Sequence, residues 1–235
     1  MIMIFLFSGY KLLSIKINEK KENNKFQDLR SKIELRESEK KGEDNNASLY
    51  GKYQNIYKEN NDFVGWLKIP NTKIDYPVMS TPNDPNYYLR RNFEKENSIS
   101  GTPYIGEGID VNSKSFIIYS HNMKNHTMFG TLEKYKDIEY RNSNNLIEFD
   151  TFGGQRLYEI IAAYHIDLDK QHFKYYNYYG DWSEERFNDF VENISKISIY
   201  GKVEDVSYTD QIIQLSTCSY FTDDGRFVIV AKRIN

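Results

Sequence analysis

The chain contains one cysteine, Cys218, so any sulfur chemistry it performs rests on that side chain, without an internal disulfide or a cysteine-built metal site. A lone thiol has two uses, as a small apolar filler of a core or as a nucleophile. Composition alone favours the filler, and the local sequence places the thiol at a rim. The segment Gln211-Ile-Ile-Gln-Leu-Ser216 alternates imperfectly between polar and apolar residues, as a strand buried largely on one side does, and Thr217-Cys218 stands where it ends. Seven residues follow that contain an Asp-Gly turn signal, and then Arg226 opens a strongly apolar run, Phe-Val-Ile-Val-Ala. The resulting hairpin folds Arg226 back toward Cys218. A guanidinium beside a cysteine can favour the thiolate and can hold the oxyanion of a tetrahedral intermediate. The alternative for Arg226 is a surface ion pair with Asp223 or Asp224.

Acyl transfer also needs a proton shuttle. His121 directly follows the apolar run Ser115-Phe-Ile-Ile-Tyr119 and is expected at another strand end. A lone loop histidine is more often simply solvated. His126 lies five positions on, a weak metal spacing without further ligands, and His165 and His172 are less specific still.

The elements that must position these groups are mostly short strands. Twenty tyrosines and fourteen phenylalanines suit a pleated, half-buried surface. Strands are predicted at 66–69, 74–78, 115–119, 146–149, 156–165, 211–216 and 227–233, a spacing that suggests a barrel or sandwich. Pro77 cannot donate to a ladder, which puts its strand at an edge or a bulge. The clearest helix is Asp181–Ile199, with Phe187, Phe190, Val191, Ile194 and Ile197 on one face and Asp181 with Glu184 resembling a capping box.

The N-terminal part is different. Residues 1–17 are mostly apolar but carry Lys11 and Lys16, whereas a spanning helix needs about 20 apolar residues. Lysines follow this run and none precede it, which opposes an outward-facing C-terminal domain. The segment is expected to be a membrane anchor with a clipped front, a cleaved signal peptide and a fortuitous apolar run being the alternatives. From Asn18 to Asn46 the chain carries eight basic and eight acidic residues, with Phe26, Leu29 and Ile33 as one thin stripe, and is expected to form an exposed stalk or helix. A second stripe, Leu49, Tyr53, Ile56 and Tyr57, could pack on the main domain, which is placed at 48–235. A net charge of -3, from 31 basic and 34 acidic residues, supplies no field that would attract nucleic acid.

Taken together, these motifs resemble the sortase family. Leu215-Ser-Thr-Cys218 followed by Arg226 is similar to the TLxTC nucleophile motif and its downstream arginine, and Ile118-Tyr-Ser-His121 resembles the histidine strand. Thr127-Met-Phe129, Asp75-Tyr-Pro-Val78, Tyr87-Tyr-Leu89, the helices before the strands and the late helix look like class B. The resemblance runs from about Tyr50 to the C-terminus. Three positions depart from the pattern: Gln214 in place of the leading threonine, Ser120 where glycine often precedes the histidine, and Ser219 after the cysteine.

The resemblance implies a mainly β fold, a closed eight-stranded barrel with N-terminal helices and one inserted helix near 181–199. It implies a cysteine transpeptidase that cleaves an NPxTx-like C-terminal sorting signal of exported proteins through a thioacyl intermediate. The acyl group then passes to a peptidoglycan amine. Cys218 would be the nucleophile, His121 the proton shuttle and Arg226 the holder of the oxyanion or signal backbone, while Ser216, Tyr119, Leu89 and Thr217 would line the substrate groove. The loop from about Leu168 to Gly180 would cover part of that groove. The implied location is the outer face of the cell membrane. No nucleotide, haem or metal motif is present, so no cofactor is expected. The competing readings are a hydrolytic cell-wall cysteine peptidase, an L,D-transpeptidase, whose histidine usually stands shortly before its cysteine, and a non-catalytic surface-anchored binding domain.

Overall fold

The computed structural model describes residues 2–39, 45–106, 110–220 and 222–235, and the side chains of residues 2–8, 11–12, 36–39 and 45–50 lie outside that description. Among the described residues, four α-helices, α1 (Ile2–Glu39), α2 (Asn45–Glu59), α3 (Ile138–Ser143) and α4 (Glu184–Ile197), surround eight strands. The strands are β1 (Phe63–Lys68), β2 (Asp75–Met79), β3 (Tyr104–Ile105), β4 (Ser115–Tyr119), β5 (Leu146–Thr151), β6 (Gly154–Asp167), β7 (Ile212–Cys218) and β8 (Gly225–Arg233). They close into a barrel in the order β1-β2-β3-β4-β7-β8-β6-β5. The closed eight-stranded barrel is the expected one.

Period-two alternation divides the central strands between two cores. Phe116 and Ile118 of β4, Ile213 and Leu215 of β7, and Phe227, Ile229 and Ala231 of β8 belong to one cluster with the residues of β1, β2 and β5. Their neighbours Ile117, Ile212, Val228 and Val230 face the other way and pack with Trp182, Phe187, Phe190 and Ile194 of the α4 region. This second core corrects the one-sided reading of β7, whose only exposed residue is Cys218. Its polar positions are covered as well. The Gln214 amide donates to the Tyr178 carbonyl (2.9 Å), and the Ser216 hydroxyl bonds Tyr175 Oη (2.7 Å).

Further differences from the sequence reading have local causes. Helix α4 starts at Glu184, not Asp181, because Ser115 and Gly180 exchange backbone hydrogen bonds (3.0 and 2.8 Å) that tie the chain just before it to β4. Ser183 is therefore the cap, accepting from the Arg186 amide, while Asp181 accepts from the Lys114 amide (3.0 Å). The strand β3 is two residues long, too short for alternation to reveal. Pro77 pairs with Trp66 of β1, and β2 meets β3 only at Met79, so Pro77 occupies an edge-like position inside a closed barrel.

The charged stretch after residue 18 does not stand free as a stalk. Phe26, Leu29 and Ile33 of α1 are buried in the barrel-side cluster with Tyr53 and Ile56 of α2. Arg30 donates to the Asp75 carbonyl (2.9 and 3.1 Å), and Lys25 and Lys32 both pair with Glu59 (2.7 and 2.5 Å), tying α1 to β2 and to α2. Tyr57 packs edge-on against Phe152, and the expected contact of Leu49 lies outside the described side chains. Among the described residues, no helix is long and apolar enough to cross a membrane.

Candidate active site

Strand β7 carries Cys218 to the barrel rim, and antiparallel pairing with β8 sets Arg226 directly opposite it. The turn between them depends on Gly225. A Cβ there would stand 2.9 Å from the Ser219 carbonyl oxygen and 3.0 Å from the Thr222 amide nitrogen, closer than side chains approach. The neighbouring Phe221 lies outside the described residues. Arg226 pairs with Asp224 (2.9 Å) and donates to the Gly225 carbonyl (2.9 Å), so it makes the surface ion pair and lines the cavity at once.

His121 arrives from the parallel neighbour β4, whose Tyr119 is the register partner of Ser216. Its Nε2 lies 2.8 Å from the Leu89 carbonyl oxygen, which can only accept, so Nε2 carries a proton and Nδ1 is the free lone pair of the neutral ring. Leu89 is held by its own neighbour. Tyr88, fully buried beside it, receives a hydrogen bond from Asn60 (2.7 Å) and donates to Asp62 (2.7 Å), pinning the 3-10 turn Tyr87–Arg90 to the end of α2. Burial lowers the His121 pKa against a weaker opposing effect of the Leu89 hydrogen bond, with nearby Arg90 lowering it further. A neutral imidazole results near pH 7.

Cys218, His121 and Arg226 line one cavity of about 710 Å³ together with Leu89, Tyr119, Ser216 and Thr217, all seven residues singled out from the sequence. Two of them present less than expected. The Ser216 hydroxyl is committed to Tyr175, and the Thr217 hydroxyl donates to the Ser120 carbonyl (2.8 Å), joining the ends of β7 and β4. The cavity is also lined by Tyr175, Tyr176 and Tyr179 of the 168–180 loop, and by Asn86 and Tyr104, which sequence reasoning missed. Tyr104 stacks on Tyr119 (5.8 Å). Burial, then the neighbouring Cys218, pushes the Tyr104 hydroxyl up to about 12, while Arg226 pulls it down. Tyr175 is likewise pushed up to about 12 by burial, and it too feels Arg226 and Cys218. Tyrosines from β3 and from the 168–180 loop thus share the electrostatic surroundings of the cysteine and the arginine. In sequence Tyr104 had no signal beyond a general richness in tyrosine, and the loop tyrosines were placed only as part of the loop that the family resemblance lays over the groove.

A second groove, of about 500 Å³, runs between α1 and residues 97–100, but its lining residues include neither a cysteine nor a histidine. His126 stands away from the cavity with its Nδ1 3.5 Å from the Gly130 carbonyl oxygen.

Comparison with known proteins agrees with this geometry. A sortase-domain family profile matches residues 67–234. Sortase B of Listeria monocytogenes is 30% identical over 239 residues, covering 98% of this chain and 92% of the relative. The chain belongs to the sortase family, in class B. Among solved structures, a Staphylococcus aureus sortase B–substrate complex superposes with a TM-score of 0.80 at 24% identity, covering 93% of this chain and 99% of the other, a likeness of fold. A mutant form of Clostridium perfringens sortase B gives 0.76 at 27% identity, covering 91% and 98%. The chain is therefore a sortase-type cysteine transpeptidase with a single cysteine to serve it. The sortase assignment also removes the L,D-transpeptidase and passive binding-domain readings.

Proposed function

We propose that Cys218 is the nucleophile of this sortase, acting on an NPxTx-like sorting signal of exported proteins and delivering the acyl group to a peptidoglycan amine. The observation that carries the reading is the rim itself: the one exposed position of β7 is the cysteine, with Arg226 opposite and His121 on the same cavity. Neutral His121 accepts the thiol proton as sulfur bonds to the carbonyl carbon of the signal's threonine. Arg226 offsets the charge developing on the carbonyl oxygen. The C–N bond then breaks, and the imidazolium returns its proton to the departing amine. In the second half, His121 takes a proton from the incoming amine as that nitrogen attacks the thioester, and the thiol is regenerated. Water is the competing acceptor.

Leu89, Tyr119, Ser216 and Thr217 are assigned to the groove wall, the last two through their place in the cavity lining since their hydroxyls are occupied. The location assigned is the outer face of the cell membrane, with the apolar 1–17 segment as the attachment; the continuous helix α1 supports a stiff connection between them. Mass spectrometry after incubation with an NPxTx peptide tests the core of the proposal. An acyl adduct on Cys218 is expected in the wild type, with none in Cys218→Ala, whose turnover should fall by at least about 10⁴-fold. Retained cleavage by Cys218→Ala would end the assignment. Product with an added amine acceptor distinguishes transfer from hydrolysis.

A further inference from the structure

Main-chain pairing does not set the spacing of the cysteine and the histidine. The β4–β7 ladder ends at Tyr119 and Ser216, each two residues short of the group that matters, with one further backbone bond from Ser120 to Ser216 (3.2 Å). Beyond that point the two segments are joined by side chains. Asn122, directly after His121, uses its amide to donate to the Cys218 carbonyl (2.9 Å) and to Glu133 Oε1 (3.4 Å). Ser219, directly after Cys218, donates its hydroxyl hydrogen to that same Glu133 oxygen (2.7 Å). One carboxylate oxygen therefore receives a bond from the successor of the histidine and another from the successor of the cysteine.

The carboxylate is well placed to hold still. Glu133 belongs to the 3-10 turn Leu132–Lys136, whose Leu132 and Tyr135 are fully buried. The segment it restrains is also held by the Ser219 amide on the Gly225 carbonyl (2.9 Å) and by the largely exposed Tyr220, whose hydroxyl donates to the Asn122 carbonyl (3.2 Å). His165 of β6 adds a brace from the side, its Nδ1 3.2 Å from Ser219 Oγ. Since the serine hydrogen goes to Glu133, Nδ1 is the donor in that contact.

We infer that Glu133 is a positioning residue for the transpeptidation, fixing the separation of His121 and Cys218 by holding the residue that follows each. This rests on the reading of those two as the reacting pair. A displacement of about 1 Å in such a pair can cost about 100-fold in rate. Alanine at 133 removes one bond from each successor, leaving Asn122 on the Cys218 carbonyl and Ser219 on His165, whereas glutamine keeps an oxygen that can accept from both.

The test compares wild type, Glu133→Ala, Glu133→Gln and Ser219→Ala in cleavage of a fluorogenic NPxTx peptide and in alkylation of Cys218 by iodoacetamide across pH. Glu133→Ala should lose about 10- to 100-fold in kcat with KM within about twofold, and Glu133→Gln should return to within about threefold of wild type. Ser219→Ala, which removes one of the two bonds, should fall between and serves if Glu133→Ala does not fold. The alkylation profile should be displaced in Glu133→Ala and restored in Glu133→Gln. A glutamine variant as impaired as alanine overturns the inference, and so does an alanine variant with wild-type kcat and alkylation. If the wild type cleaves no such peptide, the functional proposal fails, and the alkylation profiles still decide the role of Glu133.

Discussion

The two flanks of Cys218 are built from different materials. On one side lies the cavity, walled by Leu89, Tyr104, Tyr119 and Tyr175, where aromatic surface dominates and much of the polar capacity is spent inward. On the other side, Asn122, Glu133, Ser219 and His165 form a chain of hydrogen bonds. Aromatic walls give contact area to a peptide at small entropic cost. A polar chain gives position. On the proposed mechanism labour is divided across a single residue, with one flank to recognise and the other to hold.

That contrast can be broken most severely at Arg226, which lies between the flanks. Arg226→Ala should lower kcat by about 10²- to 10³-fold with a smaller change in KM, because the guanidinium is needed mainly when charge develops on the carbonyl oxygen. A KM effect alone would move Arg226 to the recognition side. Next in size, Leu89→Ala should raise KM by about tenfold and leave kcat near wild type in steady-state cleavage assays. Its backbone carbonyl, which holds His121, is untouched by the substitution. A matching fall in kcat would show that the two flanks are not separable there.

Tyr175→Phe sharpens the comparison through stability. It leaves the buried Ser216 hydroxyl without its 2.7 Å partner, and chemical denaturation should report a loss of about 1–3 kcal/mol. Burial of His121 makes a pH prediction with a definite sign. Its folded pKa lies below the ordinary 6.5, so the associated stability is intact above about 6.5 and is lost as pH falls through the lower folded value. An NMR titration of the ring in Cys218→Ala should show a midpoint under 6.5; one above it would contradict the desolvated setting. The smallest effect is expected at Asp224→Asn. The Arg226–Asp224 pair is partly exposed, so its loss should change stability by less than about 1 kcal/mol.

Much of this arrangement is legible in the sequence. The strand-terminal places of Cys218 and His121, and the hairpin that returns Arg226, follow from apolar runs bounded by turn residues. The second face of β7 was hidden, because Gln214 and Ser216 look solvent-facing until the 168–180 loop covers them. Glu133 was hidden for a related reason. It stands 86 positions from Ser219, and a glutamate near a turn reads as a solvated charge until a hydroxyl is found pointing at it. The stripe Phe26, Leu29 and Ile33 was visible, but a thin stripe does not say what covers it, and the barrel does.

By itself, the order of residues determined the chemistry available to this sortase: one thiol, an imidazole at the end of an apolar strand, and a guanidinium a hairpin away. Local periodicity and turn preference are encoded in neighbouring residues, so they can be read along the chain. Only the tertiary structure decided which tyrosines face the cysteine, which hydroxyls are already engaged, and which carboxylate stands behind the reacting pair. Those are contacts between distant segments, set by barrel closure and by the two cores packed against its strands, and no local pattern contains them.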